Sequence, residues 1–221
     1  MKKVFISGSR DIKKLDEVVI SSLNKIISQN MQVLVGDATG VDTLIQKYLF
    51  SCNYFNVVVY TIFKEPRNLL STKFKVKRVY VENLSGRKAQ EKKDEAMTMD
   101  SDYSFVVWNG KSKGSFNNIL RALENNKKLK IYYTIEKRFL EKEELKVKHI
   151  KKIYYKHNGI GLKELAKLTN QSLSYIKEFV SNYPQLKIIS YYKGKKQVRY
   201  SIDFINMLNR QSLLKLEEIN Q

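Results

Sequence analysis

Three short stretches of this chain carry residues whose types and spacing suit the binding of an anion. Gly110 to Ser115 reads GKSKGS, placed where the apolar run YSFVVWN hands over to the helical pattern ILRALENN. GSR, at Gly8, Ser9 and Arg10, follows the apolar run VFIS, and GDATG, from Gly36 through Asp37, Ala38 and Thr39 to Gly40, follows QVLV. Glycine lets a backbone approach a ligand closely, the free N–H groups of a helix start point outward, and the helix dipole favours negative charge. Arg10 and Lys111 add counter-charge. Any one of these loops is also ordinary turn chemistry, so the reading rests on three of them sharing one edge. No GxxxxGK[ST] loop occurs and no GxGxxG follows the first strand, which removes most support for nucleoside triphosphate hydrolysis and for hydride transfer.

The elements that must position these loops read as an alternation of strands and helices. VFIS, QVLVG, NVVVYTI, VKRVYVE, YSFVVWN and LKIYYT are the candidate strands. The first is followed by an amphipathic stretch with Ile12, Leu15, Val18, Val19, Leu23, Ile26 and Ile27 at helical spacing. VDTLIQKYLF, a short helix from Gln90 to Met99 and SFNNILRALENN complete the set. Near-continuous apolar strands alternating with helices predict an α/β fold, a Rossmann-like doubly wound and mostly parallel sheet covered on both faces. Ligands of such sheets bind beyond the carboxyl ends of the strands, where all three loops fall. Trp108, ending YSFVVWN beside GKSKGS, is a candidate to stack on a base or ribose, or else a core or rim tryptophan.

The 221 residues suit one medium and one small domain, and 43% hydrophobic and 11% aromatic content suffices for real cores. Net charge is +19. Residues 1–135 hold 23 Lys and Arg against 13 Asp and Glu, and the remaining 86 hold 18 against 9, so the C-terminal part is the more densely basic. Such an excess attracts polyanions, although a lysine-rich composition also arises without selection for one. A single cysteine, Cys52, excludes an internal disulfide and a thiolate zinc cluster and points to a reducing compartment. No signal-like N-terminus and no membrane-length apolar run occur, and a soluble cytoplasmic protein without a membrane partner is the expectation.

GSR, GDATGVD, KKDEAM and VVWNGKSKGSFNNI, in this order over residues 1–135, resemble the SLOG superfamily, and within it the group named after YspA and related to cpYpsA. SLOG domains are Rossmann-like modules that bind nucleotides or nucleotide-derived ligands. The resemblance implies that Gly8, Ser9 and Arg10 lie at the ligand's edge, with Gly36, Asp37, Gly40 and Asp42 opposite. It implies that Lys111, Ser112, Gly114 and Ser115 hold phosphate. Asp42 stands near a helix start, where a simple capping role serves as well. Relatives known as the lonely-guy enzymes hydrolyse the N-glycosidic bond of nucleoside monophosphates and carry PGGxGTxxE. Aligning Gly114 and Ser115 with their GT puts Asn118 at the glutamate position, and an amide does not exchange a proton as a carboxylate does. Asp37 and Asp94 are the candidate catalytic replacements, with a solvated helix face or a cap as their plainer roles. The two histidines, His149 and His157, lie outside this region, so neither a histidine-based triad nor a histidine metal site is expected, and no metal or cofactor beyond the nucleotide-type ligand is required.

EKRFLEKEELKVKH marks a composition shift, and residues 136–144 read as a linker. From Leu145 onward a helix, then GLKELAKLT, NQS and LSYIKEFVSNYP fit a helix-turn-helix, with Leu162, Leu165, Ala166, Leu168, Leu173, Ile176 and Val180 as its apolar positions. LKIISYY and QVRYSIDF around KGKK add two strands and a glycine turn. Residues 145–221 thus resemble a winged-helix (α+β) domain, with a further helix over 211–221 suited to dimerisation. For DNA contact the candidates are Gln171, Ser172, Ser174, Tyr175 and Lys177 in the major groove, and Lys193, Lys195, Lys196 and Arg199 on phosphates. The leading expectation is a nucleotide-responsive DNA-binding protein. The alternatives are a nucleotide N-glycosidase or nucleotide-derivative hydrolase, and a single-stranded DNA-handling protein of the DprA type, whose architecture also joins a SLOG domain to a winged helix.

Overall fold

The structure is a computed structural model that describes residues 1–192 and 195–208, the side chains of 189–192 and 195 excepted. The chain divides into two compact units, Met1–Val147 and Lys148–Gln221.

The first unit is an α/β layer around a seven-stranded sheet. In chain order its strands are β1 (Lys3–Gly8), β2 (Gln32–Val35), β3 (Val57–Thr61), β4 (Lys75–Arg78), β5 (Tyr103–Trp108), β6 (Lys128–Tyr133) and β7 (Arg138–Phe139). Their order across the sheet is β4-β3-β2-β1-β5-β6-β7, and every pairing is parallel except that of β6 with β7. The connections are α1 (Glu17–Ser28), α2 (Val41–Ser51), α3 (Gly86–Asp100) and α4 (Lys113–Glu124). The apolar runs noted in the sequence are continuous because both faces of the sheet are covered. Val4, Ile6, Val33, Val35, Val57 and Val59 pack with Val19 and Leu23 of α1 and Val41, Ile45 and Leu49 of α2. Phe5, Leu34 and Tyr60, on the opposite face, pack with Met97 of α3.

Chain order reverses between β1 and β5. To one side the sheet runs through β2, β3 and β4, and to the other through β6. At such a switch point the loops after the two strands diverge to opposite faces and leave a crevice between them. The loops holding Gly8 to Arg10 and Gly110 to Ser115 flank it.

Four segments differ from the sequence expectation. Helix α1 begins at Glu17, behind Asp16, so Ile12 and Leu15 pack against the core from the preceding loop rather than from a helix. Helix α3 runs over fifteen residues and β4 is a short, fully exposed edge strand, KVKR, whose lysines discourage pairing with another chain. Residues 136–144, which read as a linker, carry β7 and a turn of 3-10 helix, with Arg138 donating to both carboxylate oxygens of Glu144 at 2.6 and 2.8 Å.

The second unit contains α5 (Val147–Asn158), α6 (Leu162–Thr169), α7 (Leu173–Ser181), the antiparallel hairpin β8 (Lys187–Tyr192) and β9 (Lys195–Tyr200), and a helix over 203–208. Ile150, Leu165, Ile176 and Phe204 are fully buried at its centre, and Phe179 packs edge-on against Phe204 at 5.9 Å between ring centroids. Asn170 takes the left-handed conformation at the end of α6, and the Ser172 hydroxyl caps α7 by accepting the Tyr175 N–H at 3.1 Å. Gly159 closes α5 with φ +66°, and a Cβ there would meet the Tyr200 carbonyl at 3.1 Å, so glycine is required by both backbone and space. Beyond it Ile160 forms an isolated bridge to Tyr200, adding a third short segment beside the hairpin.

Among the described residues no helix is long and apolar enough to cross a membrane. Lys193, the side chain of Lys195 and the helix expected over 211–221 lie outside the described residues.

Candidate functional site

The three glycine-bearing loops of the first unit meet at the carboxyl edge of the sheet. A Cβ on Gly8 would lie 2.5 Å from both the Val107 carbonyl of β5 and a methyl of Val41 on α2, so the end of β1 fits between its neighbours only as glycine. A Cβ on Gly40, whose φ is +78°, would overlap the backbone of Arg10, so the loops after β1 and β2 are in direct contact. Ser9 joins the loops after β1 and β5. It is fully buried, its N–H donates to Val107 O at 3.0 Å, its hydroxyl donates to Asn109 Oδ1 at 3.0 Å, and it accepts the Asn109 N–H at 3.2 Å.

The GKSKGS turn is organised around its own side chains. Besides Ser9, the amide oxygen of Asn109 accepts the N–H groups of Lys111 at 3.0 Å and Ser112 at 2.9 Å, forming an Asx turn. Ser112 then caps α4, accepting from the Ser115 N–H at 3.4 Å and from the Ser115 hydroxyl at 3.1 Å. The amides of Lys111, Ser112 and Ser115, which the sequence offers to phosphate, are therefore engaged within the protein. What the loop presents outward is the first turn of α4, where helix geometry leaves the N–H groups of Lys113 and Gly114 without intrahelical acceptors. A Cβ on Gly114 would meet nothing nearer than Ser112 Oγ at 4.0 Å, and Arg10 and Lys111 are exposed beside it.

Trp108 does not stack in this site. It is fully buried, its indole N–H donates to Ser112 O at 3.3 Å, and its ring lies between Phe116 and Tyr133 at centroid distances of 6.3 and 6.1 Å. It supports the α4 N-terminus from within the core.

Asp37 is likewise a structural centre. Its buried carboxylate accepts from Arg67 Nη2 at 2.6 Å and Lys93 Nζ at 2.9 Å on one oxygen, and from Thr61 Oγ1 at 2.8 Å and the Arg67 N–H at 3.2 Å on the other. The Asn68 amide donates to its carbonyl at 2.8 Å. Burial alone would raise the Asp37 pKa, but the hydrogen bond from Arg67, the charge and hydrogen bond of Lys93 and the bond from Thr61 outweigh it and hold the carboxyl well below the usual range. A carboxylate so fully partnered does not exchange protons near neutral pH, and Asp37 is withdrawn as a catalytic candidate. Arg67 and Lys93, absent from the sequence expectation, are its partners. Lys93 falls in the row Ala89, Lys93 and Met97, all buried, and a lysine in a buried helical row calls for a carboxylate.

Two other carboxyls behave differently. Asp42, in the first turn of α2, accepts the Ala38 N–H at 3.1 Å and lies against Gly36, where a side chain would collide with it. Burial pushes its pKa up to about 6; the Lys93 charge and the Ala38 N–H oppose this, and the Asp94 and Asp37 charges add to it. Asp94 on α3 is also raised by burial, against the opposing charges of Lys93 and Arg121 and a hydrogen bond from Asn118. Asn118 is buried and accepts from Arg121 Nη1 at 2.7 Å. Asp42, Lys93, Asp94, Asn118 and Arg121 thus bring α2, α3 and α4 together at one edge, with burial raising the pKa of both carboxyls. Among the described residues no group of three or more His, Cys, Asp and Glu is arranged to hold a metal ion.

In the second unit Gln171, Ser172, Ser174 and Lys177 are exposed around α7, and Tyr175 is half-buried with its ring stacked on Phe179. Lys196 on β9 is exposed. Arg199 is directed inward instead, its guanidinium donating to Gly159 O at 3.0 Å, so it braces the hairpin against the end of α5 rather than reaching out.

A scan against protein-family models found no family that matches this chain, and a search of curated proteins found no match.

Proposed function

We propose that this protein is a nucleotide-responsive DNA-binding protein. The first unit, a SLOG-like domain, receives a phosphorylated nucleotide or nucleotide derivative, and the second, a winged helix, contacts DNA. The observation that carries the first part is the junction of three loops at the β1/β5 switch point through Ser9, Asn109 and Gly40. That junction supports a site at the α4 N-terminus in which Lys113 and Gly114 offer backbone N–H groups and Arg10 and Lys111 offer charge. For the second part the support is the order of α6, a three-residue turn, α7 and the β8–β9 hairpin, with polar Gln171, Ser172, Ser174 and Lys177 exposed at the start of α7. Coupling between the two requires unequal ligand affinity for the free and DNA-bound forms.

The test is purification without added nucleotide, denaturation, and mass spectrometry of any small molecule released, with thermal denaturation in AMP, NAD and ADP-ribose alongside. A released nucleotide-type molecule, or a melting temperature that rises with one of these compounds, is expected. Failure to see either one rejects the reading.

A second reading, a nucleotide N-glycosidase or nucleotide-derivative hydrolase, is favoured by the elevated pKa values of Asp42 and Asp94 beside Asn118. In it, water adds to the anomeric carbon as the C–N bond breaks, one protonated carboxyl gives its proton to the departing base, and the other carboxyl, as carboxylate, takes the proton the water loses. Release of free base from AMP, NAD or ADP-ribose, abolished by Asp94→Asn or Asp42→Asn, selects this reading. Binding without release selects the first.

A further inference from the structure

Helix α5 carries a charge pattern that its own stability does not explain. Lys148, Lys152 and Lys156 are all exposed at successive i, i+4 positions, so they form one row along the helix. The helix also contains Lys151, and it contains no Asp or Glu at all. Like charges at i, i+4 are mutually unfavourable, and a lysine in the first turn opposes the helix dipole, which favours acidic residues there. Other helices of the chain offset their lysines. Lys92 pairs with Glu95 at 2.8 Å and Arg87 with Glu91 at 2.9 Å on α3, and α6 holds Glu164 beside its lysines. On α5 nothing acidic intervenes.

We infer that the Lys148, Lys152 and Lys156 row of α5 is a contact surface for the phosphate backbone of duplex DNA, separate from the exposed residues of α7 and β9. This rests on the reading that the second unit binds DNA. The row spans eight residues, about 12 Å at the helical rise of 1.5 Å per residue. Duplex DNA presents one negative charge for about every 1.7 Å of its axis, so three lysines in line meet several phosphates without any requirement on base sequence. A bilayer surface is disfavoured as the partner because the apolar face of α5 is already used. Ile150, Tyr154 and Tyr155 are buried within the unit and cannot enter an acyl layer. The row positions the protein and does not select sequence.

The experiment uses the full chain, a labelled mixed-sequence duplex and fluorescence anisotropy across a salt series. The triple variant Lys148→Gln, Lys152→Gln, Lys156→Gln keeps helix-forming side chains and removes three charges. Its plot of log affinity against log salt is expected to be shallower by about 0.9 for each phosphate it no longer neutralises, close to 2.7 in all. The triple Lys→Arg variant is expected to retain the parental slope. Circular dichroism and melting temperature of each variant separate this effect from loss of fold. A parent that binds duplex while the Gln variant keeps its slope overturns the α5 assignment alone. A parent that binds no duplex at low salt overturns it together with the DNA reading. Sedimentation with anionic vesicles in place of duplex binding assigns the row to lipid and likewise overturns it.

Discussion

Lys93 Nζ lies 2.9 Å from Asp37 Oδ1 with both side chains sealed from water, 3% and 0% exposed. The pair ties α3 to the loop after β2, and Arg67 completes it from the loop after β3. Three segments near the candidate rim are thereby held by one carboxylate rather than by a ligand.

Removing one partner should be costly. Lys93→Met leaves Asp37 facing Arg67, whose side chain is one-third exposed, and a buried carboxylate with incomplete compensation typically costs about 3–5 kcal/mol. Urea unfolding should show a loss of this order, and the double variant with Asp37→Asn should recover part of it, because no charge then remains buried alone. A single-variant loss below about 1 kcal/mol would match an exposed ion pair and would remove Asp37 from the centre of the fold. The sign with pH follows from the direction of the Asp37 shift. Its folded pKa is depressed, so its contribution is complete above the unfolded value near 4 and is lost as pH falls below that value.

Asp42 acts in the opposite direction. Its pKa is raised by burial to about 6, so between pH ~4 and pH ~6 the folded state binds more protons than the unfolded one, and this group's contribution falls as pH rises. Asp42→Asn should raise the melting temperature at pH 7, by the equivalent of about 1–2 kcal/mol allowing for the residue's partial exposure, and should flatten the pH dependence across that interval. The measurement is thermal denaturation of both proteins across the interval. An unchanged pH profile in the variant would show that Asp42 titrates normally.

How much of this was legible in the sequence depends on the range of the interaction. The buried runs of β1, β2 and β5 declare a covered parallel sheet because burial on both faces suppresses alternation, and the order of loops along one edge follows from that. Lys93 was legible in principle from its place between Ala89 and Met97. Arg67 was not, because it belongs to an irregular loop and its partner stands thirty residues earlier. The sequence leaves Trp108 open between stacking on a ligand and a core or rim position, since it ends its strand. Its burial comes from Phe116 and Tyr133, which no local pattern announces. Asn109 carries its own signal, an Asn-Gly pair after a strand, but what its oxygen accepts depends on Ser9, a hundred residues away.

Asn109 sets up the sharpest test of the proposed ligand site. Asn109→Asp keeps an acceptor oxygen for Ser9, Lys111 and Ser112 while adding a negative charge beside the α4 N-terminus, where the dipole favours it. Folding stability should be kept or slightly raised. Affinity for AMP, measured by calorimetry, should fall about tenfold or more, the equivalent of about 1.4 kcal/mol of like-charge repulsion. Equal affinity in the two proteins would place the phosphate away from this loop.

Within a few residues of β9 the second unit holds an exposed lysine, a candidate for DNA contact, and an arginine that supports the fold. Lys196 is exposed, as is Lys177 on α7, whereas the guanidinium of Arg199 is bound to Gly159 O. Lys177→Glu combined with Lys196→Glu should therefore weaken duplex binding on every sequence and lower the salt slope by about 0.9 per phosphate, with melting temperature unchanged. Arg199→Ala should do the reverse. It removes the brace between β9 and the end of α5 and should lower stability by about 1–3 kcal/mol, with duplex affinity held in samples that remain folded. Anisotropy titrations and thermal melts on the same preparations give both readouts, and a double-lysine variant that binds duplex like the parent at low salt would take α7 and the hairpin out of the DNA interface.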